Sequence, residues 1–181
     1  MGRSGSFGLV LLELGATGEL PYPSRTSDLH HEIELVVAIG KGGKNILAAD
    51  AHKHIFGYAV GLDMTRRDLQ NDMKKQGRPW CIGKAFEQSA PIGPVHPIAR
   101  TGRLDKGAIT LHVDGQLRQK GDLSELIWSV DEIIAHLSSA WLLQPGDLIF
   151  SGTPAGVGAV QRGELMECAI DGLGKLRVAV R

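Results

Sequence analysis

The segment from Glu32 to Gly40 restricts the possible folds of this chain more than any other, because it is predicted to be a strand that is largely apolar on both faces. With the two-residue period of a strand, one face carries Ile33, Leu35, Val37 and Ile39, and the other carries Glu32, Glu34, Val36 and Ala38. A strand of this kind belongs in the interior of a sheet that is covered on both sides. The fold must therefore bury a strand that carries two carboxylates near its start.

The other patterns predict a single mixed domain with a substantial β core and a few surface helices, of fold class α+β or mainly β. Strands are predicted at 58–62, 109–113, 116–119 and 148–150, and two more on either side of Asp171-Gly172. Asp114-Gly115 is a type I′ turn signal and predicts a hairpin. Strands should therefore dominate the second half of the chain.

Three helices are predicted from periodicity and capping signals. The first covers residues 46–56, and the second covers 66–76, where Thr65 and Asp68 match a capping box. The third follows a second capping box, Ser129 with Glu132, and its apolar stripe is predicted to be Ile133, Leu137 and Trp141. The turn at 144–147 should end it.

Composition argues against several classes of partner. Lysine plus arginine and aspartate plus glutamate number 20 each, so no overall field favours nucleic acid or an acidic membrane surface. No apolar run approaches the roughly 18 residues of a membrane helix. Cys81 and Cys168 fall in no zinc-like or redox spacing, which fits a reducing cytosol. We therefore expect a soluble, cytoplasmic protein without nucleic-acid or membrane partners.

The carboxylates of the buried strand are the first candidate for chemistry. Glu32 and Glu34 project to one face, and although an isolated pair of this kind is usually solvated, here the same face continues as Val36 and Ala38. Covered neighbouring carboxylates need a cation or a raised pKa. Asp63 ends the next strand, where it either joins this site or caps the following helix. Three carboxylates would suit Mg²⁺, Mn²⁺ or Ca²⁺.

Other polar residues have both a functional and a purely structural interpretation. Arg67 and Gln70 lie three apart on the predicted helix, so both can face the site or both can lie on the surface. Lys84 stands among apolar residues and either extends along them to solvent or is held for function. The segment Gly152–Gly158 can offer backbone N–H groups to an anion, with the Thr153 hydroxyl as a further donor.

Four ordered motifs together resemble the fumarylacetoacetate hydrolase superfamily. They are His30-His31-Glu32-Ile33-Glu34-Leu35, Gly61-Leu62-Asp63-Met64-Thr65-Arg66-Arg67-Asp68-Leu69-Gln70, Gly83-Lys84-Ala85-Phe86, and the Ser-Gly-Thr-Pro-x-Gly-Val-Gly pattern that begins at Ser151. The similarity covers residues 18–181. Within it, the sequence of residues 57–80 looks most like the acylpyruvate hydrolase branch, which includes fumarylpyruvate hydrolases.

The resemblance implies a mixed β-sheet roll or pseudo-barrel of that family's C-terminal-domain type, usually as a homodimer. It implies Mg²⁺ or Mn²⁺ at Glu32, Glu34 and Asp63, and a keto-acid substrate held by Arg67, Gln70, Lys84 and Thr153. The implied reaction is hydrolysis of an acylpyruvate to pyruvate and a carboxylic acid, as in aromatic compound catabolism. A bound cation would stabilise negative charge on the keto-acid oxygens.

The chain departs from the family pattern at its start. Residues 1–17 match neither the usual N-terminal segment nor the lid that carries a water-activating His and Glu pair. Lys84 and His31 are then the catalytic candidates, with His30 as an alternative base and a structural role around the metal open to either histidine. Two alternatives remain: decarboxylation of oxaloacetate or isomerisation through the same chemistry, and a metal-binding homologue without catalysis.

Overall fold

The computed structural model describes residues 11–13 and 17–181 of the chain. Most of the segment 1–17, which was predicted to be atypical, lies outside the described residues. The strands are β1 Leu11–Glu13, β2 Thr17–Leu20, β3 Leu29–His31, β4 Ile33–Ile39, β5 Ile55–Leu62, β6 Thr65–Arg66, β7 Ala90–Ile92, β8 His96–Pro97, β9 Ala108–Val113, β10 Gln116–Asp122, β11 Leu148–Phe150, β12 Gly158–Ala159, β13 Leu165–Ile170 and β14 Gly174–Val180. The α-helices are α1 Arg67–Lys75, α2 Cys81–Lys84, α3 Ile98–Thr101 and α4 Val130–Ala140.

The strands form three sheets. A six-stranded sheet has the order β1-β7-β5-β4-β11, with β8 also paired to β5. A five-stranded sheet has the order β10-β9-β13-β14-β2, and β12, β3 and β6 form a small third sheet. This strand-dominated architecture with few helices confirms the predicted fold class.

The buried strand predicted at the start of the sequence is β4. It pairs antiparallel with β5 on one side and β11 on the other, and all seven of its residues are buried. One face packs Leu35 and Val37 into the main core, which also contains Leu111 of β9 and Met166 of β13. On the opposite face, Val36 belongs to a second, smaller apolar cluster. The prediction of two covered faces is therefore confirmed.

Two predicted helices differ from the observed ones. The segment predicted as a helix at 46–56 instead contains a 3-10 helix at 48–54. The helix ends there because Ile55 pairs with Ile39 as the first residue of β5. The capping box at Thr65 and Asp68 was wrong: α1 has no side-chain cap, and Thr65 lies in β6. The Asp68 carboxylate instead accepts hydrogen bonds from the Thr26 hydroxyl and the Ser27 amide.

The capping box of α4 is present, and the Asp114-Gly115 turn has positive φ at both residues, so both of these predictions are confirmed. The apolar stripe of α4 is confirmed for Ile133 and Leu137, which pack against the main core, but not for Trp141. Ile134 is fully buried, whereas Trp141 follows the helix and is 40% exposed. The helix ends at Ala140 and Trp141 has extended backbone angles, so helical spacing no longer places its side chain on the buried side. Within the described residues, no helix has both the length and the apolar character required to cross a bilayer.

Candidate metal centre

Pairing between β4 and β5 brings the three predicted carboxylates together. Glu32 occupies the single-residue break between β3 and β4, and Glu34 is the second residue of β4. Ile33 pairs with Leu62, so Asp63 follows directly beside Glu32, and the Asp63 amide donates to the Glu32 carbonyl at 2.9 Å. The antiparallel register thus brings Asp63 next to Glu32 and Glu34, although it lies about thirty positions further along the chain.

The geometry of this cluster fits a divalent ion. One carboxylate oxygen from each of Glu32, Glu34 and Asp63 lies within 4.8 Å of the others. An ion with oxygen ligands at about 2.0–2.6 Å can therefore contact all three. Among the described residues, Asp63 Oδ1 is buried without a hydrogen-bond partner, which is costly unless a cation meets it. An all-oxygen donor set is the one preferred by Mg²⁺, Mn²⁺ and Ca²⁺.

Two basic side chains hold the outer oxygens of the cluster. The Lys84 ammonium group lies 2.8 Å from Glu32 Oε2, 2.7 Å from Asp63 Oδ2 and 2.8 Å from Thr65 Oγ1, so its three protons each have an acceptor. Arg67 donates through one terminal nitrogen to Glu32 Oε1 and through the other to Gln70 Oε1. Arg67 belongs to α1 and Lys84 to α2. These two helices follow β6 and pack against each other.

The charges of the cluster do not balance when every group is ionised. Three carboxylates face two cations, which leaves one excess negative charge in a buried place. Burial, together with repulsion from Asp63, raises the pKa of Glu34 to about 8, and burial also raises the pKa of Asp63. Burial acts to lower the pKa of Lys84, but its contacts with Asp63 and Glu32 outweigh this and raise it. A bound cation would remove the imbalance.

The glycine-rich segment closes one side of the site. The Gly152 amide donates to Glu34 Oε2 at 2.7 Å, so the predicted anion-binding amide holds a carboxylate of this chain. The Thr153 hydroxyl donates to the Ile33 carbonyl at 2.8 Å, and therefore its proton is already committed to the β4 backbone. In this structure Thr153 fastens the segment to the strand that carries Glu34.

The two histidines occupy different surroundings. The His30 ring lies 2.9 Å from Asp28 Oδ1, and its Nδ1 accepts from Arg67 Nε at 3.3 Å. The His31 ring is 1% exposed, and its Nδ1 lies 2.8 Å from Gln119 Oε1. Burial lowers the pKa of His31, so it is neutral near pH 7. Its predicted catalytic role stays a prediction, and its surroundings are those of a side chain that anchors its neighbours.

Gln119 is a residue of the site that the sequence did not indicate. It is fully buried, and its amide contacts His31, the Ile33 amide, Thr153 and the Pro154 carbonyl. The sequence pattern assigned it only to a hairpin strand. A buried glutamine in an otherwise exposed strand is the signal that could have drawn attention to it, but burial itself was not evident from the sequence.

Comparison with known proteins places these features in a family. The model for the fumarylacetoacetate (FAA) hydrolase C-terminal family matches residues 13–181. Fumarylpyruvate hydrolase from a Ralstonia species is 47% identical over 171 residues, covering 94% of this chain and 88% of that protein. Mitochondrial oxaloacetate decarboxylase from Dictyostelium discoideum is 39% identical over 160 residues, covering 88% of this chain and 73% of that protein.

A solved structure gives the same result. Fumarylpyruvate hydrolase from Pseudomonas aeruginosa, in complex with Mn²⁺ and pyruvate, is 58% identical and superposes with a TM-score of 0.91. The match covers 96% of this chain and 74% of that chain. The resemblance seen in the four sequence motifs is therefore confirmed over nearly the whole chain, and the protein belongs to the fumarylacetoacetate hydrolase family.

Proposed function

We propose that this protein is a divalent-metal-dependent hydrolase that cleaves a carbon–carbon bond of an acylpyruvate such as fumarylpyruvate. The observation that carries the proposal is the convergence of Glu32, Glu34 and Asp63, with one Asp63 oxygen buried and, within the described part of the chain, unpartnered. The relatives support the same reaction, since the Ralstonia and Pseudomonas proteins are fumarylpyruvate hydrolases and the latter is in complex with Mn²⁺ and pyruvate.

The three carboxylates would hold Mg²⁺ or Mn²⁺, with Ca²⁺ as a further fit to the oxygen ligands. When bound, such an ion supplies a positive charge that polarises the keto-acid oxygens. Glu34 and Asp63 are each fixed through one oxygen, by the Gly152 amide and by Lys84 respectively, which leaves the other oxygen for an ion. The ligands are thus oriented before the ion arrives.

Hydrolysis of an acylpyruvate adds water across one carbon–carbon bond. The hydroxyl group goes to the acyl carbon, the electron pair of the broken bond stays with the pyruvate fragment, and a proton completes that fragment. Lys84 is proposed as the catalytic cation next to this developing charge, because its ammonium group lies between Glu32 and Asp63. Arg67 and Gln70 are proposed to contact the substrate carboxylate from the adjoining face of α1.

Three of the predicted roles take a modified form. Arg67 already donates to Glu32, Gln70 and His30, so it would bind substrate while also orienting Glu32. Thr153 donates its hydroxyl proton to the chain itself, so a contact with substrate would have to use its backbone amide. His31 is proposed to act on the position of the glycine-rich segment rather than on the substrate.

Oxaloacetate decarboxylation is a second candidate, because the Dictyostelium relative is an oxaloacetate decarboxylase. Both reactions leave an electron pair on a pyruvate fragment, but only the hydrolase adds water to the other fragment. Substrate profiling separates them: an acylpyruvate gives pyruvate plus a carboxylic acid, whereas oxaloacetate gives pyruvate plus carbon dioxide. The greater identity to fumarylpyruvate hydrolases favours the first reaction.

The setting of the enzyme is part of the proposal. We place the catalytic unit at residues 18–181, in a cytoplasmic homodimer that serves aromatic compound catabolism. Cys81 is exposed and Cys168 buried, and both are free thiols, which suits a reducing compartment. Light scattering coupled to gel filtration measures the assembly state.

The proposal is tested by pyruvate release from fumarylpyruvate with and without added metal. We expect activity to disappear after chelation, to return with Mn²⁺ or Mg²⁺, and to be lost in Glu34→Gln. Glu87→Gln is the matched control because Glu87 is exposed and outside the cluster. Release that persists in chelator, or turnover in Glu34→Gln that equals the control, would contradict the proposal.

A further inference from the structure

Gln119 lies where a bulge interrupts the β9–β10 hairpin. Leu117 pairs with His112, but Gln119 pairs with Leu111, so Arg118 is one extra residue in β10. An extra residue reverses the inward and outward alternation of the strand beyond it. Leu117 is accordingly 52% exposed, whereas Gln119 is 0% exposed and shares the inner face with Leu111. The bulge therefore directs the Gln119 side chain towards the interior of the protein.

The Gln119 amide uses its full hydrogen-bonding capacity on two separate segments. Its Oε1 accepts from the Ile33 amide at 3.2 Å and lies 2.8 Å from His31 Nδ1. Its Nε2 donates to the Thr153 hydroxyl at 2.7 Å and to the Pro154 carbonyl at 2.8 Å. Two acceptor and two donor positions are all that a primary amide offers in this geometry. One side chain therefore joins the two residues that flank Glu32 to the glycine-rich segment.

The orientation of this amide follows from two backbone groups. The Ile33 amide can only donate and the Pro154 carbonyl can only accept, so exchanging oxygen and nitrogen in Gln119 would oppose donor to donor and acceptor to acceptor. With Oε1 fixed towards His31, the His31 Nδ1 must carry a proton and donate it. In neutral His31 the lone pair is then on Nε2, on the side of Gly158, where an added Cβ would lie 3.6 Å away.

The same segment also approaches the bulge directly. Gly156 has φ of +100°, and a Cβ there would come within 2.1 Å of the Arg118 carbonyl oxygen. The segment thus rests on the backbone next to Gln119, while its other end supplies the Gly152 amide to Glu34. A displacement of the segment at Thr153 would also move the neighbouring Gly152 amide, which donates to the Glu34 carboxylate.

We propose that Gln119 is a positioning residue for the metal centre, which locks the glycine-rich segment onto the carboxylate strand and holds His31 as the Nδ1-protonated form. The inference rests on the proposed metal site for its functional consequence, but the histidine form can be observed in protein without metal. Groups of this kind, which orient ligands without touching the ion, typically change metal affinity by about 10- to 100-fold when removed.

The first measurement is the protonation pattern of the His31 ring by nitrogen-15 NMR, in the protein with and without Mg²⁺. We expect the Nδ1-protonated form in the natural sequence and in Gln119→Glu, which keeps an acceptor for His31 and Ile33. Gln119→Met removes that acceptor at nearly constant size, and the Nδ1-protonated signature should be lost or mixed. A purely space-filling role for Gln119 would leave the ring unchanged in both variants.

The second measurement is Mn²⁺ affinity by calorimetry. Neither Gln119→Met nor Gln119→Glu can donate to both Thr153 and Pro154, because a carboxyl group carries at most one proton, so both variants should bind Mn²⁺ about 10- to 100-fold more weakly. Gln116→Met is the matched control, because Gln116 is an exposed glutamine of the same strand. Its affinity should equal that of the natural sequence.

The outcomes separate this inference from the proposed function. Mn²⁺ affinity within twofold of the natural sequence for both Gln119 variants would overturn the positioning role, and so would an unchanged His31 signature in Gln119→Met. If Gln119→Met does not fold, Gln119→Glu still tests affinity, because it is isosteric. Failure of the natural sequence to bind Mn²⁺ at all would instead refute the proposed metal site, while the His31 measurement would still test the hydrogen-bond network.

Discussion

Replacing Lys84 by methionine tests the electrostatic account of the metal centre most directly. Methionine keeps nearly the same length and removes the charge, so Glu32, Asp63 and Thr65 lose their shared donor. The Lys84 side chain is only 24% exposed, and the two carboxylates are 10% and 14% exposed, so water cannot replace the ammonium group easily. The variant therefore leaves negative charge uncompensated in a poorly solvated place.

The expected cost follows from the behaviour of buried ion pairs. Removing one partner of such a pair typically destabilises a protein by about 3–5 kcal/mol. Burial raises the pKa of both Glu34 and Asp63, so either carboxylate can take up a proton and relieve part of the repulsion. We therefore expect a cost near the lower limit, about 3 kcal/mol, which for a chain of this size lowers the unfolding midpoint by roughly 6–12 °C.

Metal should reverse the effect. A divalent ion replaces the missing positive charge, so saturating Mn²⁺ should stabilise Lys84→Met more than the natural protein. Thermal and urea unfolding are measured in chelator and in excess Mn²⁺. Lys53→Met is the matched control, because Lys53 is 61% exposed and its pair with Asp50 lies at the surface, where such pairs contribute about 0–1 kcal/mol.

Two results would refute this reasoning. One is a midpoint for metal-free Lys84→Met within about 2 °C of the control variant, which for this chain length corresponds to less than about 1 kcal/mol. The other is an equal or smaller gain from Mn²⁺ in the variant than in the natural protein. Either would mean that the ammonium group does not compensate the charge of Glu32 and Asp63.

Three further outcomes are expected. Glu34→Ala removes one of three ligands and should abolish Mn²⁺ binding in calorimetry; unchanged affinity would refute the ligand assignment. Because the folded pKa of Glu34 is raised from 4.5 to about 8, its contribution to the stability of the metal-free protein is full below pH 4.5 and is lost as pH rises through about 8. Over the same window the Mn²⁺ affinity should rise about tenfold per pH unit, because the ion must displace the proton on Glu34. Urea unfolding and calorimetry at pH 5 to 9 test whether stability falls while affinity rises. Arg67→Lys keeps the positive charge but lacks the guanidinium group whose three nitrogens donate to Glu32, Gln70 and His30. The rate of pyruvate release should therefore fall by more than tenfold, which corresponds to a barrier increase on the order of 1.4 kcal/mol. A change in rate below twofold would contradict the orienting role of Arg67.

The sequence predicts those parts of the fold that depend on local periodicity. The alternation in β4 indicates both of its buried faces, and Asp114-Gly115 indicates its turn because few residues adopt positive φ. The carboxylate site is also accessible to sequence reasoning. Glu32 and Glu34 share a face by strand parity, and Asp63 joins them because it ends the neighbouring strand.

Other features depend on contacts between distant segments. Thr65 and Asp68 match a capping box, but Thr65 is drawn into β6 and accepts from Lys84, while Asp68 binds Thr26. The contribution of one cap is about 1 kcal/mol, which a buried ion cluster and strand pairing readily exceed. Gln119 could not be found because the bulge at Arg118 reverses its direction, and no residue type marks that bulge in the sequence.

The charge of the cluster links the fold to the proposed activity. Lys84 and Arg67 supply two positive charges to a cluster of three carboxylates. Burial, together with repulsion from Asp63, raises the pKa of Glu34, and within the described residues Asp63 Oδ1 has no hydrogen-bond partner. A desolvated carboxylate and an unpartnered buried oxygen are both unfavourable in the metal-free protein, and a bound ion would remove both costs. An enzyme built in this way should therefore be markedly more stable with its metal than without it.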